Sequence, residues 1–258
     1  MRASGIILHI TSLPSPHGVG TLGKEAREFA DFLHRAGQKY WQILPLGPTG
    51  YGDSPYQTDS AFAGNPYLID LEQLIEDGLL TREEADAVSF GGDPERTDYG
   101  ALYAGRAGLL RRACERGWEK ERESVEAFYR ENESWLRSYA LYTAAKRHFG
   151  MRPWIEWEDE ELRLRRSEDV LRRYEDLLAD DIRFCVFTQY PFFRQWNALR
   201  AFAHAHGVSL IGDLPIYTAS DSADVWSAPE EFQLDGNGHP TEVAGCPPDG
   251  FSPDGQLW

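Results

Sequence analysis

Apolar positions along the chain change period several times, and each change marks an element. Residues 5–11, GIILHIT, are a continuous Ile-rich run closed by a Pro-rich turn, which predicts a buried strand. Over 24–36 the spacing turns helical. Ala26, Phe29, Ala30, Leu33 and Ala36 share one face, charges oppose them, and Gly37 stops the helix. A second apolar run, YWQILPL (40–46), follows a short connection. Strand, helix and strand in this order form a βαβ unit and predict a parallel sheet.

From 67 to 206 the periodicity is helical, with heavily charged outer faces that read as solvated surfaces. Residues 67–180 are therefore expected to form an inserted, mainly helical subdomain. A more apolar helix then leads to a third strand at 207–217, GVSLIGDLPIY. This divides the chain into 1–66, 67–180 and 181–258. A (β/α)8 barrel needs about 250 residues for its eight units. With the insertion present there is room for about three of those units. The chain also stops at Trp258, just after a Gly/Pro-rich stretch at 234–257. An incomplete barrel is the expectation.

Charge narrows the ligand. A net charge of −16 argues against nucleic acid and anionic membrane surfaces, which need clustered Lys and Arg, and favours a neutral ligand. Cys114, Cys185 and Cys246 are odd in number and lack CxxC spacing, so no disulfide framework is expected and a reducing, cytoplasmic setting fits. The N-terminal apolar run is too short for a signal segment, and no stretch approaches the ~18 apolar residues of a membrane span. Aromatic residues reach 13%, with eight Trp, which can serve a core or stack on the apolar faces of sugars.

Candidate chemistry lies in the Gly/Pro-rich loops, because the carboxyl ends of parallel strands hold ligand sites. The loop at 47–66 is the first of them. Asp53, Asp213, Asp221, Asp224 and Asp249 lie near strand ends, and glycoside chemistry uses two carboxyl groups. Spacing alone leaves open whether any two form such a pair. Asp53, in GDSP, reads first as a turn former, and Asp221 and Asp224 as an N-cap and first helical turn. Asp213 follows an apolar strand and would project at the rim, where a buried carboxylate needs a hydrogen-bonding partner. Its role stays open between scaffold and ligand contact. Tyr51, Tyr56 and Trp258 sit on loops and are candidates for stacking on a ligand, whereas Trp41 and Trp196 belong to periodic elements. His204 and His206 have no flanking ligands at metal spacing, and the Gly/Pro-rich loops at 47–66 and 234–257 match neither GxGxxG nor GxxxxGK[ST]. No metal or cofactor is expected.

Four segments take the reading further: SLPSPHGVGTLG (12–23), YWQILPLGPTGYGDSPYQTDSAFAGNP (40–66), GDLPIYTASDSADVW (212–226) and VAGCPPDGFSPDGQLW (243–258). In order and spacing they resemble the N-terminal half of bacterial 4-alpha-glucanotransferases (amylomaltases, disproportionating enzymes). The resemblance implies an α/β fold: an incomplete (β/α)8 TIM barrel of the α-amylase-like type with an inserted helical subdomain. It implies α-1,4-glucans as partners, including maltooligosaccharides, amylose and glycogen branches, and a retaining transfer through a glycosyl-aspartate.

By the same resemblance Ser54 and Tyr56 match donor-glucan positions, and Tyr51 matches an aromatic of a secondary glucan site. Asp213 matches a sugar-binding aspartate that is not the nucleophile. Asp249, Gln256 and Trp258 match a mobile loop over the glucan. The nucleophile and acid/base of the family fall beyond Trp258, so no catalytic carboxylate is expected in this chain. Two departures stand out. Gly250 and Cys246 replace a common Tyr and Val, and Thr218, Ala219 and Ser220 replace a common Val-Ala-His. An α-amylase-like hydrolase and a non-catalytic glucan-binding fragment are the competing readings.

Overall fold

The computed structural model describes residues 2–50, 52–93, 95–165 and 167–257. Strands β1 (Gly5–Ile7), β2 (Tyr40–Gln42) and β3 (Ser209–Ile211) form a parallel sheet in the order β1-β2-β3. Ile6, Trp41 and Leu210 lie side by side in register. The pairing expected from the apolar runs is present, but the strands are much shorter than those runs. Hydrogen bonds from Leu8 N to Gln42 O and from Ile43 N to Ile211 O, both 3.0 Å, carry the ladder slightly further. Beyond them Ile10–Ser12 coils into a 3-10 turn, and Pro45 and Pro215 have no N–H to offer a ladder.

Nor is β1 buried, as its uniformly apolar run had suggested. Strand residues alternate between faces. The Ile6–Trp41–Leu210 face is covered, with Trp41 fully buried and the Phe29 ring edge-on to it at 4.9 Å. The opposite face is open: Ile7 is 66% exposed, Tyr40 40% and Ile211 41%. An apolar run shows that a strand can be covered on both sides. It does not show that both sides are covered.

The covering layer is helical. Helix α1 (Lys24–Arg35) buries Ala26, Ala30 and Leu33 as its periodicity predicts, while Ala36 caps the helix in solvent. Gly37, at φ 71°, takes the left-handed position that lets Gln38 N reach Leu33 O and Gly37 N reach His34 O. The same motif ends α8 (Ala179–Ala205): Gly207, at φ 69°, directs Val208 N to Ala203 O. Each helix is thus turned by a glycine into the next strand.

Between the sheet strands lie α2 (Leu71–Glu76), α3 (Arg82–Asp86), α4 (Tyr99–Lys120), α5 (Arg122–His148), α6 (Glu160–Arg163) and α7 (Glu168–Leu177). The short α9 (Ala223–Ser227) follows β3. Helix α8 is apolar around most of its circumference, so it is buried on several sides. It packs against α1, α4, α5, α7 and β3. The core therefore runs without a break from Trp41 through Phe187 and Leu199 to Tyr142 and Trp226. The division expected at residue 180 falls in the first turn of α8. No helix among the described residues is long and apolar enough to cross a membrane.

Candidate functional site

Two loops leave the carboxyl ends of β2 and β3 and meet. In the first, Thr49 and Thr58 form an antiparallel bridge that closes a tip of Gly and Pro residues. Asp53 N donates to Gly50 O at 3.2 Å, with Asp53 itself at φ 55°, which confirms it as a turn residue. Ser54 Oγ accepts from Tyr56 N at 3.3 Å, and this local bond orients the following turn. In the second loop Asp213 stands two residues past β3. The Tyr56 hydroxyl donates to Asp213 Oδ2 at 2.7 Å, joining positions 157 residues apart. That hydrogen bond, ahead of burial and the Asp213 charge, pushes the Tyr56 phenol above its ordinary range, so Tyr56 stays a donor.

Beneath this contact the loops are tied together. Ala223 N donates to Asp59 O at 2.8 Å, and Ala61 N to Asp224 Oδ2 at 2.7 Å. Burial pushes the Asp224 carboxyl up, and the Ala61 amide and Ser60 hydroxyl act against that shift. Asp221 accepts from the Tyr142 hydroxyl (2.8 Å), Trp154 N (3.0 Å) and Lys146 Nζ (2.6 Å). The expected structural role of both aspartates holds, but neither is the cap. Ser222 caps α9, its Oγ accepting from Val225 N at 3.2 Å, because the carboxylates are already engaged.

The first loop and the segment that follows it are seated on α8 by two glutamines. Gln189 is fully buried and pairs with Gly64 as another strand would, accepting from Gly64 N at 2.8 Å and donating to Gly64 O at 3.0 Å. Gln195 does the same for Asp70, at 2.7 and 3.1 Å. Gly64 has no alternative here, since a Cβ would fall 2.0 Å from the Phe192 ring. Gln189→Leu keeps the volume and strands two buried peptide groups. It is expected to cost about 2–5 kcal/mol, read as a lower urea midpoint with an unchanged slope.

A 4-alpha-glucanotransferase family profile matches residues 8–258. The chain belongs to the 4-alpha-glucanotransferase family. It is 52% identical, over its whole length, to a 4-alpha-glucanotransferase of Thermus thermophilus and 47% identical to one of Streptococcus pneumoniae, covering 51% of each. An amylomaltase from Streptococcus agalactiae in complex with acarbose superposes with a TM-score of 0.96 at 44% identity, over all of this chain and 52% of that one. An amylomaltase from Corynebacterium glutamicum shares the fold at a TM-score of 0.73 and 20% identity. The chain spans about half the length of the curated relatives it matches.

Within the chain, the residues taken from the family resemblance fall in two groups. Ser54, Tyr56 and Asp213 come together at the loop junction. Asp249 and Gln256 lie instead on a hairpin of β4 (Gly245–Cys246) and β5 (Gln256–Leu257), where Cys246 pairs with Gln256. Asp249 Oδ1 accepts from Phe251 N and Ser252 N, both at 2.8 Å, and these backbone donors hold its carboxyl below the usual range. Tyr51 and Trp258 lie outside the described residues. The residues missed from the sequence are Gln189, Gln195 and Lys146. Gln189 did carry a signal: it interrupts the apolar stretch at 184–193 of α8, and a buried amide there must have partners, whereas Gln195 beside Arg194 carried none.

His9 follows β1 at the same end of the sheet. Burial lowers its imidazole to about 4, and its Nδ1 is buried without a hydrogen-bonding partner. The folded state therefore prefers neutral His9, so the unfolded chain binds the extra proton as pH falls. The stabilisation is whole above about 6.5 and is lost as pH falls toward about 4. The unfolding free energy should drop across that window by on the order of 2–3 kcal/mol more than in His9→Gln, measured by urea titration at each pH.

Proposed function

We propose that residues 1–258 form the donor-glucan-binding portion of a retaining 4-alpha-glucanotransferase. It would move segments of maltooligosaccharides, amylose or glycogen branches to the 4-hydroxyl of an acceptor glucan or glucose. The observation that carries this is the Tyr56–Asp213 contact at the strand ends of a chain that belongs to this family. A phenol held as donor beside a half-buried carboxylate offers a ring face and two hydrogen-bonding groups to one sugar. Ser54 fixes the turn that presents the ring. Asp249 and Gln256, with Tyr51 and Trp258, supply the covering loop and further aromatic platforms. The solved amylomaltase relative carrying acarbose supports a saccharide as ligand.

The three parallel strands are the first of a (β/α)8 barrel in this reading. The open face with Ile7, Tyr40 and Ile211 is the surface that further strands and the barrel interior would cover. The division into barrel units at 1–66 and 181–258, with a helical insertion at 67–180, belongs to the same proposal. So does a cytoplasmic setting, which suits three unpaired cysteines; burial pushes the Cys114 and Cys185 thiols up to about 11 and about 12. The nucleophilic Asp and the acid/base Glu of the retaining reaction are supplied by sequence outside residues 1–258. One attacks the anomeric carbon, the other protonates the leaving oxygen, and an acceptor hydroxyl then resolves the ester.

Maltotriose tests the proposal. The intact enzyme is expected to give a ladder of longer and shorter maltooligosaccharides, and residues 1–258 alone none. Glucose and maltose as sole products would make the enzyme a hydrolase, and transfer by residues 1–258 alone would overturn the placement of the carboxylates.

A further inference from the structure

The Tyr56–Asp213 contact lies at the surface, and one exposed hydrogen bond cannot hold two loops in a single register. The component able to do so lies below it. Lys146, near the end of α5, is buried, and its Nζ points between the loops. It donates to Asp221 Oδ2 at 2.6 Å, lies 3.4 Å from the Tyr142 hydroxyl, and stands 3.9 Å from Asp59 Oδ1. Asp59 belongs to the first loop and Asp221 to the second. The two loops are also joined directly, by Ala223 N donating to Asp59 O and Ala61 N to Asp224 Oδ2.

The chemistry makes the arrangement specific. Without the cation, Asp59 and Asp221 would face each other as like charges in a partly buried site. Burial pushes the Asp59 carboxyl up, Lys146 pulls it down, and Asp221 raises it again, so the three groups act on one another. A compact ammonium with three rotatable donors bonds one carboxylate directly and sits near the second in this one loop arrangement. Anchoring it on α5, a 27-residue helix packed against α8, refers both loops to the rigid core.

We propose that Lys146 is a positioning residue for the glucan site. Through Asp221 and Asp59 it sets the register of the 47–66 loop against the 213–224 loop, and with it the Tyr56–Asp213 pair. Its effect on transfer rests on the function proposed above; its effect on loop register does not.

The test uses Lys146→Met, Lys146→Arg and Asp59→Asn in the intact enzyme, with two readouts. The first, without sugar, is amide hydrogen exchange at Ala61 and Ala223. Lys146→Met is expected to speed both by about tenfold or more while α8 core amides keep their protection. The second is maltotriose kinetics, where KM should rise about tenfold with a smaller fall in kcat, because the binding pair is displaced rather than removed. Lys146→Arg, which keeps the charge but not the compact ammonium, should restore part of both. If Lys146→Met does not fold, Asp59→Asn decides, with exchange at Ala223 and KM each expected to rise about threefold.

A folded Lys146→Met, or failing that a folded Asp59→Asn, with wild-type protection at both alanines overturns the proposal whatever the sugar data show. Lost protection with unchanged KM and kcat per folded molecule overturns the positioning role. Should the wild-type enzyme not act on maltotriose at all, the functional reading fails, and the exchange result still decides the register.

Discussion

Asp213→Asn in the intact enzyme is expected to lower kcat/KM for maltotriose by one to two orders of magnitude while shifting the melting temperature little. The carboxylate accepts a 2.7 Å bond from the Tyr56 hydroxyl at a half-exposed rim, so neither partner supports the core. A hydrogen bond to a charged group contributes about 1.5–3 kcal/mol, which corresponds to roughly 10–150-fold in rate or affinity. Asn keeps the shape and removes the charge that both Tyr56 and a sugar hydroxyl would recognise. Tyr56→Phe keeps the ring as a stacking surface and deletes only the donor. It should cost about tenfold, less than Asp213→Asn, because water can reach the freed carboxylate. A steep fall in melting temperature with normal kcat/KM per folded molecule would make the pair scaffold instead.

The largest loss of stability is expected from Trp226→Ala. Trp226 is 1% exposed, its ring centre 5.6 Å from that of Trp157 and 5.9 Å from that of Tyr142, with the Arg165 guanidinium 4.6 Å above it. Its indole N–H donates to Leu162 O at 3.3 Å. Truncation removes that bond and leaves a cavity among rings too rigid to collapse. The cost should be about 3–5 kcal/mol, a large part of the 5–15 kcal/mol available to a typical domain. The loss would reach the site, since Ala223 and Asp224 of α9 are bonded to Asp59 and Ala61 of the first loop. Urea unfolding should show a lower midpoint, and Trp226→Phe, which refills most of the space, a smaller change. Equal midpoints for Trp226→Ala and wild type would remove Trp226 from the core.

The elements were legible where local periodicity and burial agree. Helix α1, its glycine stop and the parallel order of the three strands follow from apolar spacing, because one helical stripe and one βαβ connection admit few alternatives. Family membership was legible too, since the loop motifs that carry it are continuous in sequence. The tertiary structure alone decided the rest. It shortened the strands, because a ladder persists only where a neighbour offers partners, and it opened one face of β1 that apolar composition had suggested was buried. It moved the α9 cap from Asp221 to Ser222, because a carboxylate already held by Lys146, Tyr142 and Trp154 is not free to cap. It also put Asp249 and Gln256 on a hairpin of their own. Gln189, Gln195 and Lys146 act on residues from 75 to 125 positions away, and no local pattern records such a partner. A hydrogen bond between distant segments costs the chain no local signature, and only the folded packing brings its two ends within reach.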